Sequence, residues 1–93
     1  MIKSFADRET EKIYNQLFST VLPQSIQKTA LRKLIMMDNS GSLNDLRVPP
    51  SNHLEHLHGN LEGFYSIRIN DQYRICFREA DGNYFEVGIK DYH

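Results

Sequence analysis

Between residues 65 and 89, apolar side chains recur at every second position in three successive runs. They are Tyr65, Ile67 and Ile69, then Tyr73, Ile75 and Phe77, then Phe85, Val87 and Ile89. A period of two belongs to extended strands with one face buried. The residues between them, Ser66, Arg68 and Asn70 and then Arg74, Cys76 and Arg78, must face the other way. Asp81-Gly82 separates the second run from the third and is a hairpin turn signal. Leu54 and Leu57 flank a further short strand that ends at Gly59. The second half of the chain therefore predicts an antiparallel meander with an apolar face and an open polar face carrying Arg68 and Arg74.

The first half has helical spacing. Ile2 to Phe5 reads as a short strand, and Asp7 can cap a helix that runs to about Phe18. Ile13 and Leu17 repeat at i, i+4, as do Tyr14 and Phe18. Pro23 fits the first turn of a second helix that reaches Met37. Its apolar stripe is Ile26, Ala30, Leu34 and Met37, with Lys28, Arg32 and Lys33 more exposed. Pro49-Pro50 keeps the one long connection extended. The predicted fold class is α+β: a largely antiparallel sheet of four to five strands, with two N-terminal helices on one face. Ninety-three residues make a single domain, 1–93.

Composition removes several function classes. The formal net charge is −1, unlike the strong basic excess of autonomous binders of free nucleic acid. A local basic cleft stays compatible with it. Cys76 is the only cysteine, so there is no disulfide framework and the chain suits a reducing compartment. The N-terminus is too polar for a signal peptide, and no apolar run approaches the roughly 20 residues that span a bilayer. The chain reads as cytoplasmic, with no membrane partner.

Two groups of residues carry possible chemistry. Arg68 and Arg74 share the polar face, and an arginine fork can grip two phosphate oxygens while staying charged. The competing reading of Arg74 is a surface arginine paired with Glu79 or Glu86, and that of Arg68 is a cross-strand ion pair. Asp91, Tyr92 and His93 close the sequence with an acid, a phenol and an imidazole, which together can position and move a proton. A solvated tail is the bland alternative. His53, His56 and His58 lie within six positions, yet alternation puts His53 opposite the other two and no cysteine joins them, so no metal site is expected.

Several segments together resemble the HigB toxins of the RelE superfamily, from bacterial type II toxin–antitoxin systems. They are Asp45-Leu46-Arg47-Val48-Pro49-Pro50-Ser51-Asn52, then Leu54-Glu55, Leu57 and Gly59, then Ser66 to Phe77, then Asp91-Tyr92-His93. The resemblance covers nearly the whole chain and is nearest the GraT-like branch. It implies a RelE-like microbial ribonuclease-type fold and cleavage of mRNA in the ribosomal A site. It also implies neutralisation by a helix-turn-helix antitoxin of the HigA type, with operator DNA reached only through that antitoxin.

Cleavage of this kind needs no cofactor and no metal. The 2′-hydroxyl of the substrate attacks phosphorus, and the protein supplies a base, an acid and cations for the phosphorane. The resemblance carries Arg74, Asp91, Tyr92 and His93 into the catalytic set, with Arg68 binding RNA. It also brings out a departure. Relatives keep basic residues after the Pro-Pro turn, where this chain has His53 and His58, with His56 between them, and Leu61 in place of a final arginine. These histidines are the expected remaining RNA contacts. Loss of fixed cations predicts weaker electrostatic binding to RNA. It keeps a second class open: an attenuated toxin-fold module that acts mainly with its antitoxin in operon autoregulation.

Overall fold

A computed structural model describes residues 1–92. Two helices precede a four-stranded antiparallel meander in the order β1-β2-β3-β4. The elements are α1 (Arg8–Tyr14), α2 (Gln24–Asn39), β1 (Glu55–His56), β2 (Tyr65–Arg68), β3 (Tyr73–Ala80) and β4 (Asn83–Asp91). The N-terminal segment lies alongside β4 through two parallel bridges, Ile2 with Tyr84 and Phe5 with Val87. The architecture is the expected α+β class. No helix among the described residues is long and apolar enough to cross a membrane.

The core is built from the predicted stripes. Ile26, Ala30, Leu34 and Met37 of α2 pack with Ile67, Ile75, Phe77, Val87 and Ile89 of the sheet. Asp7 caps α1 by accepting the Thr10 backbone N–H at 2.7 Å. Asp81 and Gly82 both have positive φ, 54° and 81°, and form the two-residue hairpin turn between β3 and β4.

Several local expectations change. α1 ends at Tyr14 rather than near Phe18, because Gln16 adopts φ 64°. Leu17 and Phe18 leave the helix and stand exposed. Phe85 does not face the core. Two residues of β4, Glu86 and Val87, stand opposite the single residue Phe77 of β3, with Glu86 at φ 52°. This bulge reverses the facing of the strand before it, so Tyr84 is buried instead. The long connection is not fully extended, since it forms turns at Leu43–Arg47 and Pro50–Asn52. β1 has only two residues, and Gly59 leaves it at φ 71°.

Lys33, expected in solvent, is 4% exposed and donates to Asn52 Oδ1 at 2.7 Å. The polar face of the sheet is closed at its centre, because Ser66, Arg74, Cys76 and Gly88 are buried. The connection before β1 reaches Arg74 through the His53 carbonyl. A Cβ on Gly88 would sit 3.0 Å from Ala6 Cβ and 3.1 Å from Asp7 Oδ2.

Candidate active cleft

The antiparallel register sets Arg68 of β2 directly opposite Arg74 of β3. Like charges facing each other across a ladder repel, so carboxylates must gather around them. Asp71, in the turn between the two strands, pairs with Arg68. Glu55 of β1 stands 3.8 Å from Arg74 Nη1. This distance is an ion pair longer than a hydrogen bond.

Arg74 is 8% exposed, and most of its fork is committed to protein atoms. Nε donates to Ser66 Oγ at 2.6 Å. Nη2 donates to the His53 carbonyl and to the Ser66 carbonyl, the latter at 3.4 Å. The register puts Glu55 opposite Ser66, and Ser66 opposite Cys76, so these partners follow from strand pairing. Nη1, toward Glu55, is the end that faces the cleft. Glu79 and Glu86 are engaged elsewhere, with the Gly82 N–H and with Arg78.

Tyr92 forms part of the opposite wall. Its backbone N–H donates to the Gln72 carbonyl at 2.7 Å, so Tyr92 is held beside the turn after β2. The Arg74 guanidinium lies 5.5 Å from the centre of the Tyr92 ring. His53, Glu55, Arg68, Asn70, Asp71, Arg74 and Tyr92 together line a cleft of about 260 Å³. A fixed fork, a second arginine, a half-exposed carboxylate and a phenol thus meet around one opening. Such a set can hold an anionic phosphate and move a proton beside it.

The structure gathers four of the expected site residues, Arg68, Arg74, Tyr92 and His53, in the cleft lining. Asp91 pairs in register with Tyr73 and accepts from Gln72 Nε2 at 3.0 Å, one residue away from the cleft wall. His93 lies outside the described residues. His56 and His58 lie away from the cleft. His56 pairs with Tyr65 in the ladder and stacks on its ring at 4.7 Å, and His58 sits 5.4 Å beyond His56. The row continues inward from Tyr65 to Phe77 and Tyr84. Among the described residues, no group of three or more His, Cys, Asp or Glu side chains could hold a metal ion. Cys76 is buried, and that burial pushes its thiol pKa up.

Glu55 was not singled out as a reactive group by the sequence. A two-residue strand has no periodicity of its own, so its pairing with Ser66 and its approach to Arg74 are invisible before the fold is known.

A family model for the RelE-like toxin of the type II toxin–antitoxin system HigB matches residues 3–93. The chain is similar to Toxin HigB-1 of Vibrio cholerae, with 42% identity over 83 residues, covering 88% of this chain and 87% of that protein. Its fold is similar to the YoeB-YefM complex from Staphylococcus aureus, with a TM-score of 0.60 and 22% identity, covering 100% of this chain and 98% of the matched one. The YoeB dimer from the same organism gives a TM-score of 0.59 and 24% identity, covering 99% of this chain and 94% of that one.

Proposed function

Because this chain belongs to the RelE-like HigB toxins of type II toxin–antitoxin systems, we propose that its cleft cleaves mRNA in the ribosomal A site. The observation that carries the reading is the meeting of Arg68, Arg74, Glu55 and Tyr92 around one opening. RNA brings its own nucleophile, the 2′-hydroxyl next to the scissile phosphate. Attack on phosphorus breaks the bond to the 5′-oxygen and leaves a 2′,3′-cyclic phosphate. Glu55 takes the hydroxyl proton. Arg74 Nη1 and Arg68 hold the charge that grows on the phosphorane oxygens. Tyr92 supports an unstacked base or the proton delivered to the leaving oxygen, and His93 serves as the acid, with Asp91 orienting that end of the chain. No cofactor and no metal takes part.

His53 contacts RNA at the cleft mouth. His56 and His58, exposed beyond the edge of the sheet, contact RNA outside it. The ribosome supplies what a net charge of −1 does not, namely a concentrated and aligned single strand.

The partner is a helix-turn-helix antitoxin of the HigA type, docked on the helical half near residues 7 to 37 and reaching operator DNA on the toxin's behalf. Support comes from the exposed Leu17, Phe18, Val21 and Ile35 on that half, away from the Arg74 cleft. Induced expression tests the toxin reading. Growth arrest by the wild type, relief by the adjacent antitoxin gene and loss of arrest in Arg74→Ala are expected. Unimpaired growth with abundant, folded wild-type protein would favour the attenuated module.

A further inference from the structure

Lys33 is a charged group whose burial the cleft chemistry does not yet explain. Its ammonium sits within the packed side of α2, 4% exposed, and its side-chain hydrogen bond goes to the neutral amide oxygen of Asn52. Burying a cation against a neutral partner costs free energy that an apolar residue would avoid. Packing alone therefore gives no reason for a lysine here.

Its partner gives one. Asn52 is fully buried, and its Nδ2 donates to the carbonyls of Leu46 at 3.1 Å and Val48 at 3.4 Å. One side chain therefore ties the connection before β1 to itself and, through Lys33, to α2. The next residue, His53, is left-handed, with φ 44° and ψ 57°. A non-glycine residue holds that conformation only when its surroundings fix it. The turn aims the His53 carbonyl at Arg74 Nη2.

We propose that Lys33 is a positioning residue for Arg74, acting through Asn52 and the left-handed turn at His53. The chain of contacts runs from the Lys33 ammonium to the Asn52 amide, to the His53 carbonyl, to the Arg74 fork. With Nη2 held on one side and Nε on Ser66, the guanidinium plane is fixed and Nη1 is left for phosphate. The catalytic consequence rests on the phosphate role proposed for Arg74, whereas the positioning itself does not.

The test uses the full chain and two variants. Lys33→Met removes the ammonium and keeps an unbranched stem. His53→Val leaves Lys33 and its charge in place but disfavours the left-handed backbone, because a β-branched residue resists positive φ. The first readout is the guanidinium NMR spectrum of Arg74, assigned by comparison with Arg74→Lys. In the wild type, Nη2 should give separate, slowly exchanging proton signals. In both variants these should merge as rotation about the Cζ–Nη2 bond is freed, while circular dichroism shows a folded protein. The second readout is single-turnover cleavage on ribosomes. In Lys33→Met it should fall about tenfold or more, since small misplacements carry such penalties, with that variant's ribosome affinity within about twofold.

Separate Nη2 signals in folded Lys33→Met would overturn the proposal. So would merged signals in the wild type, or separate signals in His53→Val, which decides the matter if Lys33→Met does not fold. Cleavage at the wild-type rate in folded Lys33→Met would overturn the catalytic consequence. Absence of cleavage by the wild type would instead refute the ribonuclease reading, and the spectra would still decide the positioning.

Discussion

At position 74, three of the guanidinium's contacts are to Ser66 and the His53 carbonyl, and the remaining nitrogen points to Glu55. The side chain is thus braced by the fold and presented to the cleft at once. Arg74→Ala should slow single-turnover cleavage by about a hundredfold or more, the loss seen when an oxyanion donor is removed. It should also cost about 1–3 kcal/mol of stability, because the His53 carbonyl and Ser66 lose a buried donor. Arg74→Lys keeps the charge but not the fork, so it should recover little of the rate. At position 55, Glu55→Gln should lower cleavage about 10²-fold or more, as expected for a general base. The Glu55 side chain is 50% exposed, so the melting temperature should barely move. Single-turnover rates and thermal melts on the same preparations check all three variants. The alternation of β2 and β3 made the shared face of Arg68 and Arg74 legible in the sequence. Glu55 and Lys33 were not legible, because each depends on a partner distant in sequence: Ser66 for one and Asn52 for the other.

At the scale of elements, helix and strand periodicity predicted the order of structure, and two departures came where single residues adopt positive φ. Gln16 stops α1 early, and Glu86 makes the bulge that turns Phe85 outward and Tyr84 inward. Neither is glycine, so no turn residue announced them. The pieces of the first half are joined by Asp38. Its carboxylate accepts the Ile2 backbone N–H at 2.9 Å and the Tyr14 hydroxyl at 2.7 Å, linking the N-terminal segment, α1 and α2. The Ile2 N–H, followed by the Tyr14 hydroxyl, holds its pKa below the ordinary value of 3.8. The folded state therefore binds this proton less readily than the unfolded chain. The stabilisation is present above pH 3.8 and is lost as the pH falls through the lower folded value. Asp38→Asn should lower stability near pH 7 by about 1 kcal/mol or more, or about 4–8 °C in melting temperature. The gap from the wild type should close as the pH falls below 3.8. Thermal melts across pH check this, and a gap of constant size at every pH would contradict the assignment.

For the whole molecule, the cleft and the exposed apolar side chains belong to different parts of the fold. The Arg74 cleft lies between the connection before β1 and the end of β4, and the exposed apolar side chains Leu17, Phe18, Val21 and Ile35 lie on the helical half. The sequence foretold the fold class and the family. It did not foretell that patch, because Leu17 and Phe18 read as the inner face of a longer α1. A charge of −1 leaves little non-specific attraction to RNA, so a single added cation should be readable. If His58 touches RNA, His58→Lys should tighten ribosome binding, steepen its salt dependence by about one unit and increase toxicity. Ribosome affinity measured over a salt series checks the first two, and no change in either would place His58 outside the RNA contact surface. The central claim is tested most directly by mapping mRNA 5′ ends by primer extension, in translating ribosomes supplied with purified wild-type or Arg74→Ala protein. The account predicts new ends at codons occupying the A site with the wild type, none on the same mRNA without ribosomes, and few with folded Arg74→Ala. No new ends with folded wild-type protein, or equal cleavage by Arg74→Ala, would contradict it.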